Sequence, residues 1–174
     1  MFHFKFNHRL GQTIIEGVVA LSAIMVVLSA LSVATLTSVN NSSFIKNQSL
    51  AAKYAQQGIE NVRYTRNNYP SIFAGYQSNT YCMGTTWAQD GTPDSGPNAG
   101  CSTVNITDSA GASFIREVIF SRNSAYCSGG TQVTVTVRWS TGKCNTSGTT
   151  IQRYCHNVKV ISCFSDPSSS GSSL

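Results

Sequence analysis

The sequence predicts an α+β protein: a long N-terminal α-helix, apolar enough in its first half to cross a membrane, packed on a small antiparallel β-sheet that disulfides staple. Three observations predict it. From Gly17 to Ile45 no Asp, Glu, Lys, Arg or His occurs in 29 residues, and helical periodicity continues behind that run. Three segments of the second half alternate apolar and polar residues in strand fashion. All six cysteines, Cys82, Cys101, Cys127, Cys144, Cys155 and Cys163, lie in that same half. At 174 residues there is room for one globular domain and an extended element, not for two full domains.

The chain opens on MFHFKFNHRLG, which carries Lys5, Arg9 and two histidines and no acid, a head of the kind held on the cytoplasmic side of a membrane. Behind it, VVALSAIMVVLSALSVATL is strongly apolar. About 20 helical residues cross a hydrocarbon core, so this run can span. An ordinary secretory signal is cut after its apolar stretch at a small-residue site, and no A-x-A pattern stands near Ser38, where such a cut would fall. Between head and run lies GQTIIE, Gly11 to Glu16. A plain anchor has no use for that acid. A carboxylate costs about 2.5–3.5 kcal/mol at mid-membrane and less near the interface, so Glu16 is a functional candidate.

Past the run, Leu50 or Ala51, Tyr54 or Ala55, Gly58 or Ile59, and Val62 return every three to four residues, giving the second half one apolar face. Lys46, Lys53, Gln56, Gln57, Glu60, Arg63 and Arg66 supply most of the polar positions. Pro70 ends the pattern, so the helix is expected from about Thr13 to about Arg66. Some 54 residues would reach about 80 Å. From Ser71 to about Gly111 the composition turns to Gly, Pro, Asn, Ser and Thr, which reads as loop. Strands are expected over Ser113–Arg122, Gln132–Ser140 and Thr150–Cys163. In the second of these Val133, Val135, Val137 and Trp139 share one face and Thr134, Thr136 and Arg138 the other, so the sheet should be half buried under the helix. STGKCNTSGTT is the turn before the last strand, with a hairpin as the shortest connection, and the tail FSDPSSSGSSL should fray.

Three features coincide at the junction: Gly11, Glu16 five residues on, and an apolar helix directly behind. This hexapeptide resembles the cleavage and methylation motif of type IV prepilins and pseudopilins. AQQGIENVRYTRN resembles the later part of the pilin helix, and the strand order FxRxVxI then VxVxVxW is similar to the heads of minor pilins. The resemblance implies six segments: a cleaved leader, 1–11; a transmembrane and filament-core helix, 12–40; its amphipathic second half, 41–66; a variable loop region, 67–112; a sheet head, 113–164; and a flexible tail, 165–174. It further implies that a prepilin peptidase and methyltransferase cuts between Gly11 and Gln12 and methylates the Gln12 amine. Pilins often start with Phe or Met, whereas a leading Gln12 can cyclise instead. The carboxylate of Glu16 would pair with the amine of a neighbouring subunit's Gln12 and set the axial register. Major pilins often carry a proline in the buried half of the helix. None precedes Pro70 here, which points to a minor pilin or a pseudopilin of a secretion or competence system.

The partners implied are other pilin subunits, the peptidase, the assembly platform in the membrane, and lipid before assembly. The location implied is the cytoplasmic membrane, single-pass with the head outside, then an extracellular filament. Ala20, Ser22, Ala23, Ser29, Ala30 and Ser32 would permit close helix approach. A different class competes: a single-pass anchored adhesin or DNA-binding module that never polymerises. Tyr76, Tyr81 and Trp87 would mark its binding surface if exposed, though loop aromatics more often bury their area.

Only 11% of residues are charged, against about 25% in an average soluble protein. Removing Lys5 and Arg9 with the leader lowers the net charge from +5 to +3, and no Lys/Arg run follows the cut, so a nucleic-acid or anionic-lipid footprint is weak. The sequence offers no enzyme pattern. His156 is the sole histidine after the leader, Asp90, Asp94 and Asp108 show no paired-carboxylate spacing, and no phosphate-binding glycine loop occurs. Neither cofactor nor metal is expected. An even cysteine count without CxxC favours disulfides in an oxidising compartment. Six cysteines allow 15 connectivities. If the turn centres near Asn145, Cys127 and Cys163 flank the hairpin symmetrically, Cys82 and Cys101 could close the loop before the sheet, and Cys144 and Cys155 remain. Mass spectrometry of the mature chain tests the junction: the first residue should be Gln12, and an intact leader or a cut elsewhere contradicts the motif.

Overall fold

A computed structural model of the chain describes residues 10–85, 87, 93, 101, 105–145, 147 and 153–166, with only the backbone at 10–13 and 105. Most of the expected leader, the tail beyond Asp166, and Asp90 and Asp94 lie outside the described residues. The elements in chain order are α1 (Leu10–Asn68), α2 (Pro70–Gly75), β1 (Thr80–Cys82), β2 (Asn105–Thr107), β3 (Ser113–Arg122), β4 (Gly130–Trp139) and β5 (His156–Ser165). The chain forms two compact units, Met1–Ser43 and Phe44–Leu174.

In the second unit all pairings are antiparallel. The sheet runs β1-β3-β4-β5, and β2 shares with β1 the outer edge of β3, Thr80–Cys82 facing Ile119–Glu117 and Asn105–Thr107 facing Ile115–Ser113. Residues 44–68 of α1 cover one face. Ala51, Ala55, Ile59 and Val62 recur at intervals of three and four, which turns them to one side of the helix, and all are buried with Val133, Val135 and Val137 of β4. Phe44 stacks edge-on against His156 at 5.1 Å, and 22 residues later Arg66 Nε donates to the Ser165 carbonyl at 2.8 Å. A helical stretch of that length rises about 33 Å, and the nine steps of β5 about 30 Å. Helix and strand therefore run side by side in the same direction.

The helix approaches closely because Gly58 faces β4. A Cβ there would stand 2.8 Å from Val135 Cγ1, 3.2 Å from Arg116 Cδ and 3.3 Å from Met83 Sδ. Arg116 of β3 is buried among apolar neighbours. It donates from Nε to the Met83 carbonyl (3.0 Å), from Nη1 to the Tyr54 carbonyl of α1 (3.1 Å) and from Nη2 to the Gly84 carbonyl (2.6 Å), fastening helix, sheet and the non-strand segment that follows β1.

Several boundaries differ from the expected ones. Pro70 opens α2 instead of leading into loop, since its missing N–H is harmless in a first turn. Arg122 then donates to the Phe73, Ala74 and Tyr76 carbonyls, at and just past the end of α2. β1 and β2 fall in the stretch read as loop, because three-residue strands are too short to show alternation. β5 begins at His156, not Thr150, and Ser140 to Cys155 form the connection, longer than a tight hairpin. Thr134 and Thr136 are buried although they occupy the face away from the helix. Thr134 stands between Ile119 and Ile161, and Thr136 between Glu117 and Lys159, longer side chains that shield the short ones of the central strand.

Gly58→Ala should lose stability although alanine is the better helix former. Propensity returns up to about 1 kcal/mol, while overpacking against the stiff Val135 costs about 1–3 kcal/mol. A net loss of about 1 kcal/mol, deeper for Gly58→Val, is expected in denaturant titrations of the detergent-solubilised chain.

Candidate functional site

In the first unit the side chains from Ile14 to Ser43 are all exposed. Ile14, Ile15, Val18 and Val19 are each at least 60% exposed, and they surround Glu16, itself exposed. Apolar surface this continuous exceeds what a soluble monomer leaves in water. Among the described residues, one helix is long and apolar enough to cross a membrane. Several of its hydroxyls suit such surroundings: Ser22 donates to the Val19 carbonyl (2.8 Å), Ser32 to Leu28 (2.9 Å) and Thr37 to Val33 (2.9 Å), so these three need no water. Gly11 and Gln12 lie within α1, with the Gln12 side chain outside what the structure describes. Glu16 makes no ion pair among the described residues.

In the second unit the aromatics weighed as a binding surface are core. Tyr76, Tyr81 and Trp87 are all buried; the Tyr76 ring stacks 4.5 Å from Phe120 and 5.4 Å from Trp87, and the Tyr81 hydroxyl accepts from the Gln77 N–H at 3.1 Å. Asp108 is turned into its own loop, accepting from the Ala110 and Ala112 N–H groups at 3.0 and 2.7 Å. His156 lies against Phe44 and, at 5.4 Å, Trp139, with Nε2 3.0 Å from Thr141 Oγ1. The fold brings it beside Cys144 and Cys155, with ligand atoms within 4.8 Å of one another. That trio has a metal-site appearance that linear spacing did not show, yet the two sulfurs are bonded to each other and offer no thiolate.

Sequence reasoning missed Arg116 and Gly58. The signal for Arg116 was present: it shares the two-residue period of Phe114, Val118 and Phe120, so it had to point into the core. For Gly58 only its place within the helix's apolar face gave a hint.

The disulfides are Cys82–Cys101, Cys127–Cys163 and Cys144–Cys155, leaving no free cysteine. Cys82, Cys101 and Ile115 form a small buried cluster with Tyr154 against it. The other two bridges bracket the β4–β5 ladder, one at each end.

Together these features define a disulfide-stapled α+β protein whose N-terminal helix carries an uncovered apolar run with one acid near its start. No family model, curated protein or solved structure matches the chain.

The bridges should differ in worth by loop length. Cys127 and Cys163 are 36 residues apart and Cys144 and Cys155 are 11 apart. Chain entropy gives about 3.8 and 2.8 kcal/mol respectively. Thermal unfolding of the paired alanine variants should show the Cys127/Cys163 variant melting lower.

Proposed function

We propose that this chain is a structural subunit of a type IV pilus or related filament, of the minor pilin kind, anchored in the cytoplasmic membrane with its sheet domain outside until it joins the filament. The supporting observation is Glu16, a lone carboxylate set in a helical surface whose apolar side chains are exposed. Such a surface needs lipid or other helices around it. A carboxylate there needs a cation, and the amine of a neighbour's Gln12, freed by prepilin peptidase after Gly11, is the counterpart within this reading. Subunits would then be held in axial register by one charge pair each, with the assembly platform delivering them from the bilayer.

The lack of proline before Pro70 leaves a secretion or competence pseudopilin as the nearest alternative. A membrane-anchored adhesin or DNA-binding module that does not polymerise would use the same helix only as an anchor. Glu16 separates the classes. Glu16→Ala should leave export and disulfide formation intact while lowering recovery in sheared filaments by at least about 100-fold, the effect of breaking a desolvated charge pair. Unaltered incorporation, measured by immunoblotting sheared fibres against a peptidase-deficient control, would remove the assembly role from Glu16.

A further inference from the structure

The fold gathers cations that the linear sequence scatters. Phe114, Trp139 and His156 stand in register across β3, β4 and β5, and Phe44 of α1 touches the latter two, so all four mark one end of the sheet. The connection from Ser140 to Cys155 leaves from this end and returns to it, pinned by the Cys144–Cys155 bridge. It carries Lys143 and Arg153, both exposed, and no acid. Lys46, also exposed, lies two residues beyond Phe44 on α1. None of these three cations forms an ion pair among the described residues. Of the described acids in this region, Asp108 is occupied by its own turn, and Glu117 is bound to Arg138 at 3.2 Å.

Position along the chain says what this end meets. The uncharged run closes at Ile45, one residue past Phe44. Its 29 residues rise about 43 Å as helix, against a bilayer of about 30 Å of hydrocarbon and about 40–45 Å with headgroups. If the run spans, Phe44 and Lys46 fall at headgroup level, and the sheet end that packs on Phe44 comes with them. Lys46 is turned about 200° around the helix from Phe44. It therefore points away from the sheet while Lys143 and Arg153 lie on the sheet's own connection. Cations spread around one level suit a planar anionic surface, whereas a nucleic-acid duplex needs them on one side.

We propose that Lys46, Lys143 and Arg153 form a basic collar that seats the sheet domain on anionic phospholipid headgroups of the membrane its helix crosses. This inference rests on the membrane span and is independent of polymerisation. Each basic residue near such a surface favours the seated state roughly fivefold, and strong salt weakens it, since the Debye length shrinks to about 3 Å at 1 M.

The test is amine labelling, read residue by residue by mass spectrometry, of the full chain in nanodiscs of phosphatidylcholine with or without phosphatidylglycerol. With phosphatidylglycerol, Lys46 and Lys143 should label several-fold more slowly, while Lys53 and Lys159, farther along helix and strand, should not change. The protection should vanish in 1 M salt. Lys143→Gln/Arg153→Gln, both at exposed positions, should cut the seated-to-free ratio roughly 25-fold and restore labelling of Lys46. Equal labelling in both discs, slowing shared by all four lysines, protection by duplex DNA but not by phosphatidylglycerol, or failure of the chain to enter the discs would each overturn the proposal. Glu16→Ala should retain the lipid effect, which keeps this outcome separate from that of filament assembly.

Discussion

The close approach of α1 to β4 at Gly58 is the constraint on which the rest of the sheet domain depends. With no side chain on the helix at that point, Val135 of the central strand can reach the helix surface. Ala51, Ala55, Ile59 and Val62 then all join one buried cluster with the valine row. Arg116 is tolerable in the same core because the close approach brings the Tyr54 carbonyl within reach of its guanidinium. A charge buried there is held by oriented carbonyl dipoles from two separate stretches of backbone, Tyr54 of the helix and Met83–Gly84 after β1, so any movement of the helix away from the sheet would strip the Tyr54 acceptor from it.

One continuous element thus serves two solvents. Behind Phe44 the helix has a one-sided apolar face matched to a sheet. Ahead of it, apolar side chains are exposed all round, and the hydroxyls of Ser22, Ser29, Ser32, Thr35 and Thr37 are satisfied by the helix's own carbonyls. The first pattern is that of a globular core, and the second that of a helix meant for lipid or other helices. Glu16 is the exception in the second pattern, and an exception of that kind is where function is sought.

Much of this was legible from the sequence. The helix extends a few residues beyond each expected end, β3 keeps the expected Ser113–Arg122, and β4 is offset by one or two residues. These elements have periodicity sustained over ten residues or more. What was not legible has physical reasons. β1 and β2 are three residues long and are stabilised by a neighbour, not by their own pattern. The start of β5 is decided by where pairing with Trp139 begins, a long-range contact that local composition cannot report. The burial of Thr134 and Thr136 follows from their being on the central strand, which depends on strand order. The grouping of Lys143 with Lys46 required the fold, because almost a hundred residues separate them.

The two bridges that bracket β4 and β5 have a mechanical consequence. From Cys127 the chain runs through β4 to Cys144, crosses to Cys155, continues through β5 to Cys163 and crosses back to Cys127. The two strands therefore lie on a closed covalent ring. Traction on the chain from either side of this ring meets sulfur–sulfur bonds before it can peel β5 from β4. Under load the helix and β3 can be drawn off the sheet, but the ring stays as an inextensible knot of backbone, and the stretch available to the pulled chain is shortened by what it encloses.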